Sequence, residues 1–195
     1  MSHVAWRPGI GDPNLAGWVI FLAYFGAAAA CYRASRVSTA AAGQLGGAAS
    51  LGARDERRLA VFWLALCLAM SVLGLNKQLD LQTLIIQVGK QLALAQGWYD
   101  TRRSVQAAVV AALALGGGML AVTLTYVMRS SLSRVALSLA GVAVLAAFVV
   151  LRAAQLEHMS APHAGHRLRS LLELCGIALV GLGAHRAVRG RGVRQ

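Results

Sequence analysis

Four stretches of this chain run for 17 to 24 positions without a charged residue. They are Leu15–Tyr32 with 18, Leu59–Leu75 with 17, Val105–Met128 with 24 and Val135–Leu151 with 17. A helix needs ~20 residues (range ~17–25) to cross bilayer hydrocarbon, so each run has a spanning length. Helix is the spanning form these runs allow, because lipid offers no partner for free backbone groups and the runs lack barrel-type alternation. Composition agrees. Only 13% of residues are charged, against ~25% in soluble domains, and 19 basic plus 7 acidic side chains are too few to coat a water-facing surface. A soluble enzyme, a coiled coil and a disordered chain are all disfavoured.

A fifth stretch, Leu168–Val188, holds 11 uncharged residues, Leu174–Ala184, and carries Glu173 inside its outer end. Arg169 and Arg186 can snorkel at its rims. The expected fold is therefore all-α, a polytopic transmembrane helix bundle. It has about five spans, near 15–32, 59–75, 105–128, 135–151 and 168–188, within a helical domain 15–188. An N-tail (1–14) precedes it and a basic tail (189–195) follows it.

Five spans divide the Lys and Arg residues into eight on the side of the N-tail and eleven on the other, counted along the sequence. The positive-inside rule then places the N-terminus outside and the C-terminus in the cytoplasm, in an inner membrane. Arg7 alone before the first span, against Arg33 and Arg36 after it, points the same way. The first span reads as a retained anchor, since its apolar run is too long for the core of a cleavable signal. Cys31, Cys67 and Cys175 are scattered along the spans and form neither a metal motif nor a disulfide framework. The basic C-tail lacks interleaved aromatic residues, so topology or attraction to anionic lipid explains it and nucleic acid does not.

Val37–Ala53, rich in Ala, Gly and Ser, reads as a flexible connector that ends at the charged run Arg54-Asp55-Glu56-Arg57-Arg58. Between the second and third spans, Leu81, Ile85, Val88, Leu92 and Ala95 recur at steps of four, three, four and three. Asp80, Thr83, Gln87 and Lys90 take the opposite face. That pattern predicts an amphipathic helix over 79–96 lying in the outer interface, followed by Trp98 and Tyr99 at headgroup depth. Gly116-Gly117-Gly118 in the third span and the Gly26/Ala30 pair in the first are read as points of close helix packing.

The elements Asn76-Lys77-Gln78-Leu79-Asp80-Leu81-Gln82-Thr83 and Gly97-Trp98-Tyr99-Asp100-Thr101-Arg102-Arg103-Ser104-Val105-Gln106 are similar to those of an uncharacterised family of bacterial multi-pass inner-membrane proteins. The stretch Leu171–Leu179 is also similar, and the resemblance covers roughly residues 57–185. It implies a multi-pass inner-membrane protein and no particular activity. Two adjacent histidines and an aspartate follow the fourth span in that family; this chain has Glu157-His158 there.

Polar groups at bilayer depth are costly and so mark candidate sites. The expected topology brings Asn76, Lys77, Asp80, His158, His163, His166 and Glu173 to the outer side. Asp80, His158, His163 and His166 form the candidate metal set, a mixture of carboxylate and imidazole that zinc accepts. Their spacing, interrupted by Pro162 and Gly165, is not that of ligands sharing one helical face, and a histidine-bearing outer loop is the plainer account. Asn76, Lys77, Glu173 and Arg152 form the candidate polar pocket. In it Lys77 neighbours Asp80 on a continuing helix, and Arg152 matches Glu173 by depth.

Three functions fit these features. The leading one is a non-catalytic scaffold or complex subunit with the lipid bilayer and other membrane subunits as partners. The others are a membrane-embedded, metal-dependent hydrolase acting on lipid, and a small transporter subunit.

Overall fold

A computed structural model describes residues 15–45, 50–79, 102–155 and 164–192. Five α-helices make up nearly all of it: α1 (Leu15–Gln44), α2 (Leu51–Leu79), α3 (Arg102–Val127), α4 (Leu132–Gln155) and α5 (Ala164–Gly192). A single 3₁₀ turn, Arg129–Ser131, joins α3 to α4. No strand occurs among the described residues. The protein is an all-helical bundle with membrane-spanning character. Four segments are long and apolar enough to cross a bilayer: Leu15–Gln44, Leu51–Lys77, Arg129–Leu151 and Ser170–Gly190. In α3 the described apolar stretch is Leu115–Val127. The stretch around Glu173, short of uncharged residues in the sequence, is the middle of a continuous 29-residue helix.

The helices pack out of chain order. α1 lies against α2 on one side and α5 on the other, and α5 also packs along α4. The last helix thus fits between the first and the fourth, while α3 rests on α4 and the 3₁₀ turn. The buried cluster follows this arrangement, with Ile20, Tyr24, Ala27, Ala28 and Cys31 of α1 meeting Leu59, Trp63, Leu66 and Met70 of α2 and Ile177, Val180 and Ala184 of α5. Alanines line it on α1 and α5, at Ala27, Ala28, Ala34 and Ala184. Helices in lipid gain no hydrophobic advantage from meeting each other, so small side chains that let backbones close up supply the contact. Many other large aliphatic groups point outward, among them Leu22, Val61, Leu68, Val72, Leu171 and Leu182. A surface of that kind is matched to hydrocarbon rather than to water.

Hydroxyls inside the bundle find carbonyl partners, as a medium without water requires. Ser35 Oγ donates to the Ala60 carbonyl at 2.9 Å, joining α1 to α2, and Ser138 Oγ donates to the Val180 carbonyl at 3.2 Å, joining α4 to α5. Thr39, Ser71 and Thr125 donate back to carbonyls one turn earlier in their own helices. The cysteines are free, in keeping with their scattered positions.

Two expectations from the sequence are corrected. Residues 37–44 and 51–53, read as part of a flexible connector, are helical: α1 runs on to Gln44 and α2 begins at Leu51. Alanine is the best helix former, and Ser38, Ala42 and Ala53 are buried in the extended α1/α2 hairpin, so tertiary packing holds these turns helical. Ser50 caps α2, its Oγ accepting from the Ala53 N–H at 3.2 Å.

The second correction concerns the glycines. A Cβ added at Gly26, Gly116, Gly117 or Gly118 meets nothing within 4 Å among the described residues, so these glycines mark no close crossing between the described helices. The close crossings lie at Gly141, Gly176 and Gly183, between α4 and α5, and at Gly74, between α2 and α1.

Near the N-terminal end of α2, Glu56 accepts from Arg134 Nη1 at 2.6 Å and fastens α2 to the start of α4. The Arg134 side chain is 46% exposed. Solvent screening therefore limits the pair, and Arg134→Gln is expected to lower unfolding free energy in detergent by no more than about 1 kcal/mol.

The N-tail (1–14), the expected interfacial helix 79–96 apart from the end of α2, and residues 193–195 lie outside the described residues.

Candidate functional site

α2 packs tightly on α1 at Gly74. A Cβ there would stand 3.0 Å from Tyr24 Cβ and 3.1 Å from Phe25 Cε2, so a larger residue would press the two helices apart by a few tenths of an ångström. Lys77 follows three residues later, on the same face of α2. Its long aliphatic stem carries the ammonium across to α5. There Lys77 Nζ donates to Glu173 Oε2 at 2.9 Å. The hydroxyl of Tyr24 donates to the other carboxylate oxygen, Oε1, at 3.1 Å. One carboxylate is thereby held by two helices at once, with α1 supplying a hydroxyl and α2 a cation.

The group is sealed. The Lys77 side chain is 9% exposed and that of Glu173 is 3% exposed. Charges removed from water at such depth require a partner of opposite sign and further hydrogen bonds, and this arrangement provides both. The shared carboxylate also fixes register. Sliding α5 by one turn would move Glu173 about 5.4 Å along the axis and strand all three groups.

The second ion pair, Glu56–Arg134, lies 21 residues back along α2, about 31 Å at the helical rise. α2 is thus pinned to α5 near one end and to α4 near the other, across roughly the thickness of the hydrocarbon layer.

Of the residues singled out from the sequence, the structure brings Lys77 and Glu173 together. Asn76 is half-buried beside Lys77. Arg152 and His166 lie on α4 and α5 with their side chains outside the described set, and Asp80, His158 and His163 lie outside it altogether. The expected pairing of Lys77 with Asp80 falls there too. Glu173 was matched by depth to Arg152; the partners seen are Lys77 and Tyr24. Among the described residues no group of three or more His, Cys, Asp or Glu side chains is placed to hold a metal ion.

Tyr24 was not singled out, although the sequence carried a signal. It sits inside an apolar run rather than at its edge, and a phenolic hydroxyl at that depth needs a partner. The Glu56–Arg134 pair left no such trace, because both residues belong to ordinary charged helix ends.

No family model, no curated protein and no solved structure matches this chain.

Proposed function

We propose that this chain is a non-catalytic scaffold or subunit of a membrane assembly, in the inner membrane of a bacterium, with its N-terminus outside and its C-terminus cytoplasmic. The supporting observation is the closed state of Glu173. Its two oxygens are engaged by Tyr24 and Lys77 inside the bundle, so this intramembrane charge serves helix packing and offers no face to a solute. The exposed residues Leu115, Met119, Val122 and Tyr126 of α3 support an assembly role, as they offer an apolar surface to lipid or to other subunits.

The test uses the full chain, extracted from its native membranes in a mild detergent. It is expected to migrate in a complex with other membrane proteins at fixed stoichiometry, and to carry no stoichiometric divalent metal by elemental analysis. Bound metal that disappears in both Asp80→Ala and His158→Ala would replace this reading with the lipid hydrolase. Solute uptake by the purified chain in vesicles, abolished by Glu173→Gln, would replace it with the transporter.

A further inference from the structure

Between α1 and α5 runs an open groove of about 440 Å³, lined by Gly26, Ala27 and Ala30 on one wall and Ala178, Gly181 and His185 on the other. Its volume falls within the ~300–1,000 Å³ of small-ligand sites. The walls are nearly featureless because the residues are small. No described atom lies within 4 Å of a Cβ placed on Gly26, so the groove is a real gap in the packing.

Charge collects at one end of it. Tyr24 of α1 meets Glu173 of α5, and farther along both helices Ala27 lies against Gly181, so the two run parallel and their C-terminal ends share one membrane face. Along α1 the groove stripe Gly26, Ala30 continues to Arg33, and along α5 the stripe Ala178, Gly181, His185 continues to Arg189, by steps of three and four. Arg33, His185 and Arg189 are exposed. None of the three makes an ion pair or side-chain hydrogen bond among the described residues. The described acids of this face are already engaged, Glu56 with Arg134 and Asp55 with Arg58.

We infer that this groove binds one anionic phospholipid, with an acyl chain against Gly26, Ala30, Ala178 and Gly181 and its phosphate met by Arg33, His185 and Arg189. An apolar channel in the hydrocarbon layer that opens at the headgroup level onto two guanidiniums and an imidazole, none partnered among the described residues, matches such a lipid at both ends. Basic pockets between transmembrane helices recognise anionic headgroups in this manner. A zwitterionic lipid fits the channel equally well but gains less at the rim. Another helix would fill the channel and leave the cations unmet.

The experiment is native mass spectrometry of the delipidated full chain in mild detergent, titrated separately with phosphatidylglycerol and phosphatidylcholine. One phosphatidylglycerol is expected to be retained about tenfold more tightly than phosphatidylcholine, a difference of about 1.4 kcal/mol. Gly26→Leu puts a side chain into the groove from a position whose Cβ meets no described atom and is expected to abolish that retention. The triple variant Arg33→Gln/His185→Gln/Arg189→Gln is expected to erase the preference while leaving weak binding of both lipids. Equal retention of the two lipids by the unmodified chain would overturn the inference. So would phosphatidylglycerol binding untouched by Gly26→Leu, or a dimer that Gly26→Leu dissociates while neither lipid is held, which would assign the groove to a second copy of the chain.

Discussion

Replacing Lys77 by Met, or Glu173 by Leu, is expected to lower the unfolding free energy of the solubilised protein by about 3–5 kcal/mol. The size follows from burial. Each single change leaves the opposite charge in a site with at most 9% exposure and no water to take over. The attraction that offset desolvation is gone, while the desolvation remains. The double variant Lys77→Met/Glu173→Leu removes both charges and is expected to recover most of the loss, because a well-packed apolar pair of similar volume stands in for a buried ion pair at little cost. Tyr24→Phe removes one hydrogen bond and is expected to cost about 1 kcal/mol. Denaturant-titrated unfolding in mixed micelles of the wild type, both singles and the double gives the coupling energy. A double variant as unstable as the sum of the singles would show that the two residues act independently and that the clasp is not a unit.

The second large effect is expected at the α4/α5 crossing. A Cβ on Gly141 would lie 2.7 Å from the Gly176 carbonyl oxygen and 2.8 Å from the Val180 nitrogen, both main-chain atoms. A flexible side chain could turn aside; a backbone cannot, so Gly141→Val must part the two helices. Separation also breaks the Ser138–Val180 hydrogen bond, seated in the same crossing beside Gly183. The expected loss is about 3 kcal/mol, at the upper end of ordinary overpacking. Gly116→Ala provides the contrast. Nothing described lies within 4 Å of that position, so the substitution is expected to leave stability unchanged or to raise it by up to about 1 kcal/mol through helix propensity. Equal effects at the two sites would mean that α4 and α5 do not meet as described.

These glycines show where sequence reading reaches its limit. Gly116-Gly117-Gly118 is conspicuous and meets no described residue, whereas Gly141 and Gly176 look unremarkable and sit at a close crossing of α4 and α5. Whether a small residue marks a contact depends on which way its face points, and helices that are apolar all round give no amphipathic signal to orient them. The same holds for the clasp. That Glu173 needed a partner was legible from its place in an apolar run. The identity of that partner was not, because Lys77, 96 residues away along the chain, and Tyr24, 149 away, reach it only through the order in which the helices pack.

What the amino-acid sequence determined by itself was the solvent and the form. Long uncharged runs with few surface charges cannot be hydrated, and lipid leaves helix as the way to satisfy their backbone. Four of the five expected span positions coincide with helices long and apolar enough to cross a bilayer, since these depend on local composition, and the need for pairing at Glu173 followed too. Tertiary structure alone decided that α5 lies between α1 and α4, that Ala-rich residues beyond the first span remain helical, and that a gap is left between α1 and α5. The physical reason is shared by all three. In hydrocarbon, helix association rests on shape and on a few polar contacts, and these are properties of pairs of surfaces rather than of any one stretch of chain.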